Sequence, residues 1–421
     1  MRNLYRGTRS FPAPARLLMV NQFAINLGFY MLMPYLAAHL SGDLGLAAWT
    51  VGLVLGVRNL SQQGLFLIGG TIADRCGYKA PIMAGCVLRT AGFALLGWVD
   101  GLPALLIASA ATGFAGALFN PAVRAYLAAE AGPDRRVDAF ALFNVYYQAG
   151  MLVGPLVGLA LLAADFRAVC TTAALVFALL TVLQWGTLPA RRGSSPAAAE
   201  SGPGVLRQWR AVASNRPFVL FSLAMVGSYV LAFQVYLALP LAARQALGRS
   251  GDRATSALFV VSALVAVGAQ LRLTAWAKTR WTPAQALARG LAALGVAFVP
   301  LAAVSVTGDA PAAVLVALVL AVAVLAAGSA LVYPFEMDTV VALSGDRLVA
   351  THYGLYNTVS GLGITLGNLA TGALWDLAER HDARWLVWLT LTATGTACAA
   401  AIAGLARTGR LPVAAQPVPV P

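Results

Sequence analysis

Long apolar stretches of about twenty residues recur along this chain, with short polar segments between them. Clear examples are residues 17–38, 102–122, 168–188 and 310–332. A helix of this length crosses the ~30 Å hydrocarbon layer of a bilayer and satisfies its backbone hydrogen bonds internally. The strands of a membrane barrel would alternate apolar and polar residues, and these stretches do not. The pattern therefore predicts an all-α membrane protein.

The same pattern predicts about twelve membrane-spanning helices in two groups of six, joined by a polar segment. The first group comprises 17–38, 49–70, 80–99, 102–122, 140–163 and 168–188, and the second comprises 217–240, 254–275, 284–306, 310–335, 352–376 and 384–406. Residues 190–216 are polar and contain Pro, Gly and Ser, which is typical of a linker. We therefore expect a cytoplasmic N-terminal segment (1–16), a six-helix bundle (17–189), a central cytoplasmic linker (190–216), a second six-helix bundle (217–406) and a cytoplasmic tail (407–421).

The two predicted bundles resemble each other in sequence. When the first half is shifted by 213 positions, Pro121 falls on Pro334 and Asn144 on Asn357. The same shift places Gly132, Gly150 and Gly154 on Gly345, Gly363 and Gly367, and Phe140 and Phe143 on Tyr353 and Tyr356. Glycine matches arise easily by chance in a glycine-rich chain, but the aromatic and Asn matches do not. This register predicts two parallel, pseudo-symmetric six-helix repeats, an architecture of membrane transporters.

Composition agrees with a membrane location. Hydrophobic residues make up 59% of the 421 residues and charged residues only 11%, against roughly a quarter in a soluble domain. In a soluble protein the net charge of +13 would indicate nucleic-acid binding, but in a membrane protein basic residues mark cytoplasmic loops. We therefore expect no nucleic-acid partner. The basic segment before the first span resembles a signal peptide, but the many spans that follow favour an uncleaved first helix.

Loop charges predict the orientation. Basic residues occur in the N-terminal segment, in the linker and in every second loop, at Arg75, Lys79, Arg135, Arg136, Lys278, Arg280 and Arg347 among others. The loops near Asp43, Asp100 and Asp309 contain no Lys or Arg. Both termini are therefore predicted to lie in the cytoplasm, in a protein of the cell (inner) membrane. The loop after the seventh span breaks the pattern with Arg244, Arg249 and Arg253.

The loop between the second and third spans carries the most distinctive motif. Its residues Gly70, Asp74, Arg75, Gly77 and Lys79 match the loop signature G-x-x-x-D-R-x-G-R-K of the major facilitator superfamily, with Tyr78 in place of an Arg. The sequence therefore resembles that superfamily. The resemblance implies that this loop holds the two halves together on the cytoplasmic side. It also implies that Asp74 faces the start of the eleventh span, near Thr351 and His352.

A second motif lies in the fifth span. Gly150, Gly154, Pro155 and Gly158 match the G-x-x-x-G-P-x-x-G signature of the antiporter branch of the superfamily. Small residues at this spacing let helices pack closely, and Pro155 removes one backbone hydrogen bond. The plain interpretation is a helix-packing face, and only the resemblance connects the motif with export.

Longer segments resemble the MdtH-like multidrug-resistance proteins among the drug:proton antiporters. They are residues 52–77, 113–125 and 233–240. The resemblance implies proton-driven export of a small organic molecule by a protein that works as a monomer, with the lipid bilayer, protons and the substrate as its partners. Asn120 stands where an acidic residue is expected in that group, which weakens the transfer of a proton site to this position.

Buried charge is the most informative feature of the predicted spans, because it is costly and tends to be functional. Arg58 and Arg89 lie in the middle of the second and third spans, and no Asp or Glu lies in the middle of the first six spans. Carbonyls, amides such as Asn26, Gln62 and Gln63, or a ligand must then satisfy these guanidinium groups. We hypothesise that Arg58 binds a carboxylate or phosphate of an anionic or zwitterionic substrate.

Polar and aromatic side chains on other spans are candidates to line a substrate cavity. They are Asn26, Tyr30, Gln62, Gln148, Tyr229, Gln234, Tyr236 and Asn357. Hydrogen bonding between helices is the alternative interpretation for each. For proton coupling the candidates are Asp74, Glu336, Asp338 and His352, because a buried carboxyl or imidazole can bind and release protons near neutral pH. The alternative for Glu336 and Asp338 is a solvated helix end.

Other functions remain open at this point. The same fold could import a nutrient or an anionic chelate as a proton symporter, or act as a membrane sensor that transports nothing. No HExxH motif and no Walker-type loop occurs in the sequence, so neither an enzyme nor an ATP-driven pump is expected. Four Cys and three His are scattered without a CxxC pair, and we expect no metal and no cofactor.

Overall fold

The computed structural model describes residues 2–190, 204–248, 251–307 and 310–411. Within these residues the regular secondary structure is helical and no β-strand is present, which confirms the expected all-α class. The middle of the expected linker (191–203) and most of the expected tail (412–421) lie outside the described residues. Of the loop residues used for the orientation, Arg249 and Asp309 also lie outside them.

The first half of the chain forms six long helices after one short helix. The helices are α1 (Arg2–Arg9), α2 (Ala13–Ala38), α3 (Ala48–Cys76), α4 (Lys79–Trp98), α5 (Leu102–Ala131), α6 (Arg136–Leu162) and α7 (Phe166–Thr187). A π-helical turn, His39–Asp43, follows α2. Helix α3 packs on α5, α2 packs on α6, and α4 packs on both α5 and α7. The six long helices correspond to the six predicted spans.

The second half follows a short helix in the linker, α8 (Val205–Ala213). Its helices are α9 (Arg216–Phe233), α10 (Ala238–Leu247), α11 (Gly251–Arg280), α12 (Pro283–Val296), α13 (Val299–Thr307), α14 (Pro311–Ser344), α15 (Val349–Arg380) and α16 (Trp385–Arg407). The predicted seventh span is divided between α9 and α10 by a 3-10 turn at Gln234–Tyr236. The predicted ninth span is divided between α12 and α13.

Eleven described segments are long and apolar enough to cross a membrane. Helix α15, the predicted eleventh span, is long enough but more polar, since its first three turns contain Thr351, His352, Asn357 and Thr358. Together they account for the expected number of about twelve spans.

Several helices extend two or three turns beyond the apolar stretch that predicted them. Helix α3 continues to Cys76, α5 to Ala131 and α14 to Ser344. Each of these helices is followed by a glycine with a positive φ, which is 84° at Gly77, 70° at Gly132 and 59° at Gly345. Glycine adopts this left-handed conformation easily and so ends a helix. Hydropathy alone marks where a helix leaves the lipid, whereas these glycines mark where it stops.

The structure agrees with the internal repeat at particular positions. Pro121 lies inside α5 and its counterpart Pro334 lies inside α14. Gly132 and Gly345 both have positive φ and both follow these helices. The Asn side chains at the equivalent positions 144 and 357 are both buried. The repeat is therefore a repeat of backbone features as well as of residue types.

The chain divides into two compact units, and the division does not follow the order of the sequence. The first unit consists of Met1–Ser214 together with Ser344–Thr358. The second consists of Asn215–Leu343 together with Val359–Pro421. The first unit therefore includes the loop before α15 and the first ten residues of that helix. The sequence-based division at the linker stays a prediction about the repeats.

Candidate functional site

The glycine-rich loop between α3 and α4 is held by hydrogen bonds to distant parts of the first unit. The Lys79 ammonium donates to the backbone oxygen of Trp185, 2.9 Å away, near the C-terminal end of α7. A positive charge is favourable there because the last carbonyls of a helix carry partial negative charge. Tyr78, which replaces the usual Arg of the signature, is only 2% exposed and its ring lies 6.1 Å from the ring of Tyr126.

The carboxylate of Asp74 caps the first turn of α15. It accepts hydrogen bonds from the Ala350 amide at 3.1 Å, and from the Thr351 amide and hydroxyl, both at 2.7 Å. The first amides of a helix have no partner within the helix, and an anion there also interacts favourably with the helix dipole. The expected contact between Asp74 and Thr351 is therefore present. His352 is oriented differently, since its Nδ1 is paired with the carbonyl of Leu348 at 2.9 Å.

Glycines allow α3 and the start of α15 to approach closely. A methyl group at Gly70 would overlap the carbonyl group of Ala350. A methyl group at Gly354 would lie 2.5 Å from the carbonyl oxygen of Phe66. Gly70 and Asp74 lie one helical turn apart on α3, so the close approach at Gly70 and the hydrogen bonds of Asp74 belong to the same contact with the start of α15.

The linker helix α8 also contacts the end of α3. Gln208 accepts a hydrogen bond from the Arg75 guanidinium at 3.2 Å, and the indole N–H of Trp209 donates to the Thr71 hydroxyl at 2.8 Å. The sequence analysis identified this segment as a polar linker and predicted no helix in it. The residues V-L-R-Q-W-R-A-V-A, with apolar and basic positions at helical spacing, were the available signal.

Two more arginines of the first unit contact the segment around the start of α15. Arg136 forms an ion pair with Asp346 at 2.5 Å, and Arg124 donates to the side-chain oxygen of Asn357 at 2.9 Å. Asp346 has a φ of 57°, which is uncommon for a residue other than glycine. Asn357 was expected to line a cavity, and in this structure its side-chain oxygen is bound to Arg124. Neither pairing could be read from residue spacing.

The glycines of the fifth-span motif face α2. Added methyl groups would meet the backbone oxygen of Phe23 at Gly150, the Cβ of Tyr30 at Gly154 and the backbone of Met31 at Gly158. The carbonyl of Pro155 accepts a hydrogen bond from the Tyr35 hydroxyl at 2.7 Å. The motif is thus a close helix-packing face, as small residues at this spacing imply.

Arg58 and Arg89 both lie close to the same aromatic ring, that of Phe29. The guanidinium carbon of Arg58 is 4.6 Å from the centroid of the Phe29 ring, and that of Arg89 is 5.9 Å from it. Arg89 also lies 5.7 Å from the ring of Phe119 and 5.4 Å from that of Phe177, and it is only 6% exposed. We call Phe29, Arg58, Gln62 and Arg89 the arginine cluster.

Side-chain amides accept some, but not all, of the hydrogen bonds that the Arg58 guanidinium group can donate. Its guanidinium donates to the side-chain oxygens of Asn59 at 2.7 Å and Gln62 at 3.1 Å, while its Nε has no partner among the described residues. A methyl group at Gly116 would lie 3.0 Å from the amide carbon of Gln62 and 3.3 Å from Arg89. The absence of a side chain at Gly116 therefore lets Gln62 and Arg89 converge.

No carboxylate balances the arginine cluster in the part of the chain that the structure describes. Among the described residues, neither Arg58 nor Arg89 forms an ion pair. Aromatic rings stabilise a nearby cation by about 0.5–2 kcal/mol each, and a buried charge without a counter-ion costs several kcal/mol. The cluster thus has a deficit of negative charge that an anionic ligand would correct.

Other predicted site residues lie on α2 and α6. The hydroxyl groups of Tyr30 and Tyr147 are 3.1 Å apart, and the rings of Phe29 and Tyr30 meet edge to face at 5.2 Å. Asn26 donates to the backbone oxygen of Gln22, and Gln148 Oε1 has no partner among the described residues. Sequence reasoning missed Phe29 and Tyr147, because nothing in a linear pattern identifies which aromatic ring will stack on an arginine.

The predicted residues of the second unit do not form a comparable cluster. Gln234 is fully buried and donates to the backbone oxygen of Val230 at 2.8 Å, while Tyr229 is partly exposed. Tyr236 is 51% exposed and its ring packs against Phe233 and Phe259. These contacts favour the interpretation as helix packing over cavity lining.

The acidic residues of α14 are not at a solvated helix end. Helix α14 continues to Ser344, so Glu336 and Asp338 lie inside it. Glu336 is 3% exposed and Asp338 is partly buried. Among the Asp and Glu side chains that the structure describes, a set that leaves out Asp252, only Glu336 is buried to this degree. The alternative of a solvated carboxylate is therefore wrong for Glu336.

The chain is similar to known membrane transporters. The family model described as Major Facilitator Superfamily matches residues 18–368. The protein named uncharacterized MFS-type transporter Rv0849, from Mycobacterium tuberculosis, is 55% identical over 407 residues, which cover 96% of this chain and 95% of that protein. The multidrug resistance protein MdtH of Yersinia pestis is 31% identical over 378 residues, which cover 90% of each chain. The crystal structure of the human organic anion transporter MFSD10 (TETRAN) has a TM-score of 0.70 at 16% identity, covering 93% of this chain and 100% of that one.

Proposed function

Because this chain belongs to the major facilitator superfamily, whose members are transporters and in general not enzymes, we propose that it exports a small organic anion or zwitterion by proton antiport. The proposal that the cargo is anionic rests on the arginine cluster. Two guanidinium groups lie close to the Phe29 ring there, and neither forms an ion pair among the described residues. In this proposal the negative group of the cargo supplies the missing charge.

The chemistry of the cluster fits a carboxylate, sulfonate or phosphate attached to an apolar body. A guanidinium group presents parallel N–H donors that match two oxygens of such a group. The partly exposed ring of Phe29, which lies close to both Arg58 and Arg89, would pack against the apolar part. The name of the human structural neighbour, an organic anion transporter, agrees with this cargo class.

The direction of transport rests on relatives and on one motif. The name of the Yersinia relative is that of a multidrug resistance protein. The Gly150–Gly158 face of α6 resembles the antiporter signature. In the proposed cycle the contact between Asp74 and the start of α15 forms in one state and breaks in the other, while both termini stay in the cytoplasm.

For proton coupling we propose Glu336 ahead of Asp338, His352 and Asp74. A coupling group must leave and regain water during the cycle, and Glu336 is the buried carboxyl among the described residues. The Asp74 carboxylate is engaged by three donors of α15. In vesicles with an imposed pH gradient, Glu336→Gln should abolish gradient-driven transport but retain exchange of cargo between the two sides. Full gradient-driven transport by this variant would transfer the role to another residue.

The cargo proposal is tested by comparing an organic anion with a permanent cation in the same vesicles. Arg58→Gln should reduce anion transport by about 10- to 100-fold, since a charge-assisted hydrogen bond contributes about 1.5–3 kcal/mol. Arg89→Gln should act in the same direction. The matched control is Arg272→Gln, which removes an exposed arginine from the span Ala257–Arg280 and should change transport little. Faster transport of the cation that is unaffected by Arg58→Gln contradicts the proposal.

Export is tested separately, in whole cells. Cells that express the chain should accumulate less of a fluorescent organic anion than cells without it. An uncoupler that collapses the proton gradient should raise the accumulation to the level of the control cells. Accumulation that is higher with the chain, and falls with the uncoupler, would instead support the symporter that imports an anionic nutrient or chelate.

A further inference from the structure

Two tryptophans and two arginines form an exposed cluster where α11 ends and α12 begins. The rings of Trp276 and Trp281 meet edge to face with their centroids 4.4 Å apart. The guanidinium carbon of Arg280 lies 5.4 Å from the ring of Trp276, and that of Arg289 lies 4.5 Å from the ring of Trp281. We call these four residues the Trp–Arg corner.

The arginines of this corner are exposed, and the aromatic rings are their contacts. Among the described residues, neither Arg280 nor Arg289 forms a hydrogen bond or an ion pair. A guanidinium group stacked on an indole ring contacts the ring with its flat face. Its N–H groups therefore remain available to donate hydrogen bonds to a ligand. The corner therefore presents two oriented guanidinium groups to its surroundings.

The charge around the corner is strongly one-sided. Between Arg272 and Arg289, the stretch that contains the corner, the sequence has four basic residues (Arg272, Lys278, Arg280 and Arg289) and no acidic residue. A partner that fits this surface must be negative. The positive end of α12 adds to the same potential, because this helix begins at Pro283, two residues after Trp281.

The position of the corner identifies the kind of partner. Arg280 ends one membrane-spanning segment, Ala257–Arg280, and the next segment begins at Pro283. The corner thus lies at the depth where the spans leave the hydrocarbon and where lipid headgroups are found. Tryptophan is enriched at this depth, and arginine there attracts anionic lipid. Trp276 is 41% exposed, as expected of an indole that faces lipid.

We propose that the Trp–Arg corner is a binding site for the headgroup of an anionic phospholipid. The guanidinium groups of Arg280 and Arg289 bind phosphate oxygens, and the two indole rings hold these groups in place and contact the glycerol and upper acyl region. On the predicted topology the lipid belongs to the inner leaflet. The site shares no residue with the arginine cluster. The proposal therefore does not depend on which cargo is transported.

The test uses native mass spectrometry of the purified full-length chain, released from neutral micelles that contain phosphatidylglycerol or phosphatidylcholine. The wild-type chain should retain one phosphatidylglycerol in preference to phosphatidylcholine. The double variant Arg280→Gln/Arg289→Gln should retain phosphatidylglycerol about thirtyfold less, roughly fivefold for each arginine. Inorganic phosphate added to the sample should not displace the lipid, since a free anion gains nothing from the bilayer-facing indoles.

A matched control removes the same charge elsewhere. Arg407→Gln/Arg410→Gln takes one exposed arginine from the end of α16 and one from the turn after it. Neither makes a ring contact with a described residue, and the double variant should change retention by less than about twofold. A second variant, Trp276→Leu/Trp281→Leu, keeps all charges and should lower retention by about fivefold. Thermal unfolding in phosphatidylcholine should be unchanged in each variant, which shows that the chain is folded.

Three results would overturn the proposal. If Arg280→Gln/Arg289→Gln retains as much phosphatidylglycerol as the wild type, the corner is not a lipid site. If the control variant Arg407→Gln/Arg410→Gln loses as much retention, the effect is one of net charge and not of this site. Full displacement by inorganic phosphate makes the corner a site for free anions and not for lipid. All three results are measurements of lipid retention and can be obtained even if anion transport by the same variants is normal. The test of the lipid site is therefore independent of the proposed transport function.

Discussion

The loop between α3 and α4 and the loop between α11 and α12 follow the second and the eighth predicted span, so they are equivalent in the two repeats. Both are basic, but their charged groups have different partners. In the first loop Asp74 binds the start of α15, and Lys79 binds the end of α7. Around the second loop Arg280 and Arg289 are exposed, lie over tryptophan rings, and form no hydrogen bond or ion pair among the described residues. The named charged groups around the first loop form hydrogen bonds within the protein, whereas the two arginines around the second loop are exposed to the surroundings of the protein.

The two loops also differ in how a helix start is capped. Thr282 caps its own helix, α12, in a reciprocal pair with Gln285. Asp74 caps α15 from 276 positions away in the sequence. The first arrangement stabilises a helix locally, whereas the second makes the first turn of α15 depend on α3. Equivalent loops can therefore carry the same net sign of charge and still serve different purposes.

The largest effect should come from filling the space at Gly70. The side chain of Gly70→Val would overlap the backbone of Ala350, and overpacking of this kind costs about 1–3 kcal/mol or more. We expect transport to be abolished and the temperature of unfolding to fall, measured on the purified chain. The control is Gly268→Val in α11, where an added Cβ meets nothing within 4 Å. Equal losses in the two variants would mean that the close contact of α3 and α15 is not what matters.

A smaller effect should follow Asp74→Asn. The amide retains one acceptor and loses the negative charge, so the cap should weaken by about 1–2 kcal/mol. We expect transport to fall about tenfold and the temperature of unfolding of the purified chain to fall as well. The comparison is Thr282→Ala, which removes the local cap of α12 and should lower thermal stability without changing transport. If Thr282→Ala impairs transport as much as Asp74→Asn, the distinction between the two caps fails.

The smallest effect should distinguish Lys79 from Arg289. Lys79→Gln removes the charge that binds the carbonyl of Trp185 and should lower the free energy of unfolding by about 0.3–1 kcal/mol. Arg289→Gln removes an exposed charge, and in neutral lipid it should change stability by less than about 0.5 kcal/mol. Thermal unfolding of both variants in phosphatidylcholine measures the difference. The reverse order of effects would show that the second loop is the one tied to the protein.

The sequence predicted the helices well because long apolar stretches have one physical solution in lipid. The contact of Asp74 with Thr351 was predictable only through the resemblance of the Gly70–Lys79 loop to a family signature. Helix ends were predicted less well, since α3 and α14 continue past their apolar stretches until Gly77 and Gly345 adopt a positive φ.

The arginine cluster shows where sequence reasoning stops. Arg58 could be selected because a charge in the middle of a span is expensive. That its guanidinium shares the Phe29 ring with Arg89 depends on how three helices are rotated about their axes, and no linear pattern contains this information. The same holds for the pairing of Arg124 with Asn357, whose residues are 233 positions apart.

The assignment of Ser344–Thr358 to the first compact unit has a consequence for protein engineering. A chain cut within the linker would give two fragments that match the two sequence repeats, yet the first fragment would lack a part of its own interior. Asp74 would lose all three of its donors, and the backbone at Gly70 would be uncovered. Split reporters, truncations and half-length expression of this protein should therefore add residues 344–358 to the first fragment, because the boundary between the sequence repeats is not the boundary between the compact units.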